Sequence, residues 1–383
     1  MSKLEATLEI LERLIAFDTT SRNSNLALIA WVEDFLNARG VASMRVPNRE
    51  GDKANLYALI GPRVEGGVVL SGHTDVVPVD GQPWTSDPFR LTQRGDKLFG
   101  RGVADMKSFS ALVLAHVDQA LAANLKKPLI LALSYDEEVG CLGAPSMIEE
   151  IVRLMPKPQA AIVGEPTSMK VVSAHKSIRV FNVEVTGREA HSSLPHTGVS
   201  AVMEALKLME LIAAIGREQA SASPGLFIPP GATLTIGRVE GGTAANILAR
   251  RCEFTFDLRC PSQALADAIE ARFRDAAVKC DVEIKARAPE GGVVVSRRSS
   301  TPGLEVDAQS AAEALARALT GDNDTRAASY AAEAGLFQSA GIAAVLCGPG
   351  SIEQAHQPDE WIARAQIEEG ARFIEKLIAA LSA

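Results

Sequence analysis

No Cys-x-x-Cys pair occurs in the 383 residues, although there are five cysteines: Cys141, Cys252, Cys260, Cys280 and Cys347. An odd number of scattered thiols gives neither a disulfide framework nor a zinc finger. They read as reduced thiols of a cytosolic fold. No apolar run is long enough to span a bilayer. The first segment, "MSKLEATLEILERLIAF", breaks its apolar residues with Glu5, Glu9, Glu12 and Arg13. That is helical amphipathicity and not the core of a signal peptide, so the expected location is the cytoplasm. A basic surplus is also missing. The net charge of −8 argues against nucleic acid or an anionic membrane as partner, since either calls for a basic face. A small solute is the expected ligand. No internal repeat is visible, and the Ala-rich "AAEALARAL" reads as a helix.

What is present suits an ordinary globular protein, with 47% hydrophobic and 22% charged residues. A chain of 383 residues exceeds what one core normally fills, which leads to two domains. In the first 175 residues, helix-like stretches at 4–17, 26–39 and 108–124 alternate with apolar strands in "GGVVLSGHTDVVPV" and "PLILALS". This is the pattern of an α/β domain with a mostly parallel sheet. Near Lys176 the texture changes. "IRVFNVEVTG" alternates with period two, 201–215 reads as a helix, and "TLTIGRVEGG" and "RCEFTFDLRC" read as strands. A helix at 264–277 and a strand in "DVEIKARAP" complete a βαββαβ, ferredoxin-like order. "PEGGVVVSRRSSTPG" reads as a return linker. The expected division is therefore 1–176, an inserted domain at 177–290, and 291–383 completing the first domain.

The chemistry gathers where apolar segments end. "LILALSYDEEVG" closes a buried strand with Asp136, Glu137 and Glu138. Adjacent residues diverge by about 100° on a helix or 180° on a strand. Glu137 and Glu138 therefore cannot be equivalent ligands of one ion, and two jobs are implied. "VVLSGHTDVVP" places His73 and Asp75 on one side of a strand end, one able to bind a metal and the other to support it. "GRGVADMKSF" supplies Asp105 before a helix, "AAIVGEPTSM" supplies Glu165, and "GPGSIEQAHQPDEW" supplies His356. Singly, each has an ordinary explanation, such as a helix-dipole charge at Asp105 or a solvated loop histidine. Together they form a set confined to the alternating α/β parts. If Asp105 is shared by two ions, His73, Asp105 and Glu165 serve one, and Asp105, Glu138 and His356 the other. Three protein ligands per ion leave a position open for water, as catalysis needs. Nitrogen and oxygen donors without thiolate suit Zn²⁺, with Co²⁺ or Mn²⁺ also compatible.

The motifs "GHTDVVPVDGQPW", "GRGVADMK", "DEEVG", "GEPTS", "GREAHSSLPHTGVSA" and "GPGSIEQAHQPDE" together resemble the M20 family of dinuclear zinc amidohydrolases. The resemblance runs through nearly the whole chain, in family order. It implies a zinc-peptidase-like catalytic domain interrupted by a lid and dimerisation domain, two Zn²⁺ per chain in the division above, and a homodimer. It also implies Glu137 as general base, Asp75 as the partner of His73, and a small N-acyl amino acid as substrate. In the inserted domain it makes His191 the group that reaches the partner subunit's site to stabilise an oxyanion. Asn246 and Arg259 become substrate contacts, Arg259 being suited to bidentate capture of a carboxylate. Lys176, in "AHKS", is a third expected substrate contact and stands where one deacylase branch tends to have arginine. Two positions depart from the branch that the chain resembles most: Ala249 replaces a proline and Ala332 a threonine. A rival class, a non-catalytic metal-binding protein, would have no use for Glu137.

Overall fold

The computed structural model describes residues 3–223 and 225–383. The chain divides into two compact units. The first comprises Met1–Ala174, Val306–Arg326 and Ala332–Ala383. Its six-stranded sheet runs in the order Ser43–Pro47, Ala54–Ile60, Leu129–Ser134, Val68–His73, Ala160–Pro166 and Ala344–Gly348. The last four strands are mutually parallel, and the first two are antiparallel to their neighbours. All residues of Val68–His73, Leu129–Ser134, Ala160–Pro166 and Ala344–Gly348 are buried. This is why their sequences read as unbroken apolar runs, since a parallel sheet is covered on both faces. Because these strands point the same way, their carboxyl ends share one edge, the usual place for ligands in such sheets.

Helix Lys3–Ile15 buries Ile10, Leu11, Leu14 and Ile15 and packs on helix Lys107–Ala115. The helix expected at 108–124 is in fact two, Lys107–Ala115 and Val117–Ala122, interrupted at His116. Among the described residues no helix is long and apolar enough to cross a membrane. No two of the cysteines form a disulfide.

The second unit comprises His175–Glu305 and Ala327–Ala331. Its antiparallel sheet has the order Thr233–Gly241, Arg251–Cys260, Ser177–Thr186, Gly292–Thr301. In Ser177–Thr186 buried and half-buried residues alternate strictly, the sign of a sheet with one face on a core. Helices Ala201–Ala220 and Gln263–Arg287 pack on it, capped by the Ser200 and Ser262 hydroxyls. Phe256 stacks on Phe181, with centroids 4.9 Å apart, and meets Phe273 edge-on at 4.8 Å.

The βαββαβ order is present, but its last strand lies elsewhere than the sequence suggests. "DVEIKARAP" is the end of helix Gln263–Arg287, whose buried Ile269, Phe273, Ala277, Cys280 and Ile284 keep helical spacing. The fourth strand is Gly292–Thr301, inside the expected linker, and it pairs with Ser177–Thr186. The boundary expected at 290 thus cuts off a strand, and the second unit continues to Glu305.

Candidate metal centre

His73 ends its strand opposite Ser134, the last residue of the neighbouring parallel strand. Its Nδ1–H donates to the main-chain oxygen of Asp75 at 2.9 Å. This bond fixes the ring and leaves Nε2 facing Asp105 Oδ1 at 3.0 Å. Asp75, expected as the partner of His73, meets the ring with its main-chain carbonyl. Its carboxylate stays 3.7 Å from the ring. That carboxylate instead accepts the main-chain N–H of Glu137 at 3.0 Å, that of Glu138 at 3.2 Å and the Ser21 hydroxyl at 2.7 Å.

Beyond Ser134 the chain turns at Asp136, whose φ of 55° is the left-handed conformation that an aspartate tolerates better than most residues. Lys53 pairs with the Asp136 carboxylate at 2.6 Å. Of the three acids in "YDEEVG", Asp136 is thus an anchor for the turn. Glu137 and Glu138 follow it with separate partners: the Cys141 thiol donates to Glu137 Oε1 at 3.4 Å, and His356 Nε2 lies 3.0 Å from Glu138 Oε2.

Two triads of donor atoms gather here, His73 with Asp105 and Glu165, and Asp105 with Glu138 and His356, each within 4.8 Å. Asp105 is common to both: its Oδ1 meets His73, and its Oδ2 lies 3.4 Å from His356 Nε2. Glu165 Oε1 is buried without a hydrogen-bond partner among the described residues, an arrangement that costs free energy unless a cation receives the oxygen.

The electrostatics point the same way. Burial pushes Glu137 and Glu165 well above the ordinary glutamate value, against the pull of His73, and the neighbouring acids add to the rise. Burial and Asp105 raise Glu138 to about 7. Asp105 is held low because bonds from His356 and His73 outweigh its burial. His356 is raised to about 10 by its bonds to Asp105 and Glu138. Buried carboxylates are crowded here with only imidazoles to offset them, and a divalent cation would favour their ionised forms. The donor set of nitrogen and carboxylate oxygen, without sulfur, fits a zinc-like ion.

The candidates from the inserted segment lie in the second unit. His191 is exposed, with Nδ1 2.8 Å from the Ser193 hydroxyl. The neighbouring residue of Asn246, Ile247, forms a bridge with His191. Arg259 is partly exposed and makes a loose 3.9 Å approach to Asp257. Lys176 is 1% exposed, and its ammonium donates to the Pro229 and Gly231 carbonyls, both at 2.7 Å. Its geometry is that of an anchor for the 229–231 segment. Ala249 and Ala332 are both buried.

Sequence reasoning passes over four residues around the centre. Ser21 donates to Asp75. Glu333 accepts the hydroxyls of Ser71, on the strand that ends in His73, and of Ser134, on its parallel neighbour. Glu360 and Arg101 form a buried pair at 2.8 Å. Glu360 and Arg101 stand inside quoted motifs, but only Arg101, a charge between two glycines, offered a local signal, since Glu360 follows a polar run. Ser21 and Glu333 carry no local signal, because their partners are distant in sequence.

The model of "Peptidase family M20/M25/M40" matches residues 69–380. The acetylornithine deacetylase of Pasteurella multocida (strain Pm70) is 34% identical, over 99% of this chain and 98% of that protein. That of Proteus mirabilis (strain HI4320) is also 34% identical, over 98% and 97%. Among solved structures, aminopeptidase PepT from Bacillus cereus superimposes with a TM-score of 0.76 at 18% identity, covering 99% of both chains. The M20 family metallo-carboxypeptidase Sso-CP2 from Sulfolobus solfataricus gives 0.77 at 17%, covering 98% of this chain and 99% of its own. With a family match over most of its length and relatives above 30% identity end to end, the chain belongs to peptidase family M20/M25/M40.

Proposed function

We propose that the protein hydrolyses the N-acetyl amide of N2-acetyl-L-ornithine, giving L-ornithine and acetate, in a cytoplasmic route to arginine. The observation that carries the reaction class is the pair of donor triads sharing Asp105, with Glu137 half-buried in the adjoining turn. The substrate rests on the relatives named acetylornithine deacetylase. His73, Asp105 and Glu165 would hold one ion, and Asp105, Glu138 and His356 the other, most simply Zn²⁺. When bound, the ions lower the pKa of a water and polarise the amide carbonyl.

The side chains do the rest. Glu137 takes the proton of the attacking water and delivers it to the leaving amine. Its main chain is fixed by Asp75 and its carboxylate is met by Cys141, so it is aimed before substrate arrives. In a homodimer formed through the second unit, the partner subunit's His191 donates to the tetrahedral oxyanion. Arg259, with its guanidinium lightly engaged, receives the substrate carboxylate, and Asn246 hydrogen-bonds the acyl amide. Lys176 acts indirectly by holding residues 229–231.

Ala332, fully buried and without a hydroxyl, favours a second reading with the same chemistry. The substrate would then be another N-acyl amino acid, such as acetylcitrulline or succinyl-diaminopimelate. Amine release over a panel of N-acetyl and N-succinyl amino acids decides between them. The highest kcat/KM on acetylornithine is the expected result, and a higher value on any other member overturns the substrate.

A further inference from the structure

Glu360 lies outside both donor triads, yet its carboxylate is completely buried. Oε1 accepts the main-chain N–H of Ala104 at 2.8 Å and of Asp105 at 3.1 Å. Oε2 accepts the N–H of Gly102 at 3.0 Å and Arg101 Nη1 at 2.8 Å. The Glu360 carbonyl takes a further N–H, from Gly100, at 3.0 Å. One carboxylate thus gathers the segment that ends in Asp105. The several N–H donors and the guanidinium offset part of the cost of burying this carboxylate.

The network continues to the other ligand loop. Arg101, 1% exposed, donates Nη2 to Gln82 Oε1 at 2.6 Å, and Trp84 Nε1 donates to the same oxygen at 3.0 Å. Gln82 Nε2 in turn donates to the main-chain oxygen of His356 at 3.0 Å. His356 has a φ of 62° and Asp359 a φ of 54°. Left-handed conformations at such residues persist when their surroundings impose them. Asp359 is held by Thr85, whose N–H and hydroxyl donate to its carboxylate at 2.9 and 2.8 Å. Glu360 itself precedes strand Trp361–Ala363, which is laddered to Lys97–Phe99.

We infer that Gln82, Arg101 and Glu360 are positioning residues that tie the Asp105 segment to the His356 loop, and that Gln82 selectively sets the affinity of the ion held by Asp105, Glu138 and His356. This rests on the two-ion reading above. The division of labour follows from the bonds. Glu360 grips the main chain of Asp105, which both ions share, whereas Gln82 bonds the His356 main chain directly and reaches the Asp105 segment only through Arg101 and Glu360. Gln82 also permits a clean substitution. In Gln82→Glu the oxygen that receives Arg101 and Trp84 remains, but the donor to the His356 carbonyl is replaced by an anion.

The test is titration of the metal-free full-length protein with Co²⁺, followed by visible absorption, and of Zn²⁺ by calorimetry, with melting temperatures measured alongside. Gln82→Ala and Gln82→Glu should each weaken one of two binding steps by about 10- to 100-fold, the usual consequence of losing a residue that orients a metal ligand. The other step should stay at its wild-type affinity. Gln82→Glu should do so with an unchanged or raised melting temperature, because its pairing with Arg101 gains charge; a residue that merely stabilised the fold would not weaken binding there. Glu360→Gln should weaken both steps. If wild type binds two ions and both Gln82 variants retain both steps unchanged, or lose both equally, the inference is overturned. A wild type that binds no ion defeats the two-ion reading instead, and is recognised before any variant is made.

Discussion

Asp75 Oδ1 accepts the main-chain N–H of Glu137 at 3.0 Å, while its Oδ2 accepts that of Glu138 at 3.2 Å. The residue two positions after one candidate ligand thus fixes the turn that carries another ligand and the candidate base. Asp75→Ala leaves two half-buried N–H groups and the Ser21 hydroxyl without their acceptor. We expect kcat to fall about 10- to 100-fold, as for other residues that orient a metal site. Ser21→Ala, which removes one donor and leaves the two N–H bonds, should cost about 1 kcal/mol or less of stability. Steady-state kinetics with metal analysis and thermal melts of the two variants check both.

The two glutamates of "YDEEVG" should separate by phenotype. Glu137→Gln keeps the shape but removes the base, so kcat should fall about 10²- to 10⁴-fold with metal content intact. Glu138→Gln should lower metal content first, since its oxygen lies beside His356 within a donor triad. Reversed phenotypes, read by kinetics and elemental analysis, would exchange the roles assigned to them.

Removing metal should abolish turnover and also soften the protein. An ion that binds only the folded chain stabilises it by about 3 kcal/mol at a free concentration a hundred times its Kd. Chelated protein should therefore melt at a lower temperature, and Zn²⁺ should restore both melting temperature and activity. Activity in protein shown to be metal-free would refute the mechanism.

A fourth expectation concerns the second unit alone. His175 is fully buried, and burial lowers it from 6.5 to about 4 although its ring meets the Lys176 carbonyl at 3.1 Å. Its folded value is depressed, so between pH 6.5 and 4 the unfolded chain binds the extra proton. The stability that neutral His175 contributes is full above pH 6.5 and declines as pH falls toward 4. The loss approaches about 3 kcal/mol at the lower end. Denaturant melts from pH 7 to 4 should show a shallower decline in His175→Gln than in wild type. Parallel curves would mean that the histidine titrates normally.

These relationships differ in how far the sequence discloses them. His73, Glu165 and Glu138 stand out because each ends or follows a fully buried apolar run, and parallel strands deliver such ends to one edge. Residues 281–289 mislead because Val282 and Ile284 alternate as in a strand, whereas burial at Cys280 and Ile284 continues a helical face begun at Ile269. Strand Gly292–Thr301 is largely exposed and rich in Ser and Arg, so the short alternation of Val293 and Val295, which pack on the core, is outweighed and the stretch reads as linker. Glu360 is harder still. Its partners lie more than 250 residues earlier, and nothing local distinguishes a buried carboxylate from a surface one. The Asp75 carboxylate is concealed in the same way, its partners being 54 residues upstream and more than 60 downstream.

The sharpest expectation concerns His191, because only a site shared between subunits lets two inactive proteins become active together. Among the described residues, its ring nitrogen has the Ser193 hydroxyl as partner, and the side chain is exposed, so its replacement should leave the fold intact. Suppose Glu137→Ala and His191→Ala proteins, each inactive, are mixed under conditions where subunits exchange. In a heterodimer one site takes its glutamate from the His191→Ala chain and its histidine from the Glu137→Ala chain. That site is complete, and the other carries both lesions. Random pairing makes about half of the dimers mixed, each with one intact site of two, so about a quarter of wild-type activity should return for a symmetric pair. Native mass spectrometry measures the exchange independently of activity. Heterodimers verified in this way, yet without recovered turnover, would mean that His191 serves its own chain or takes no part in the chemistry.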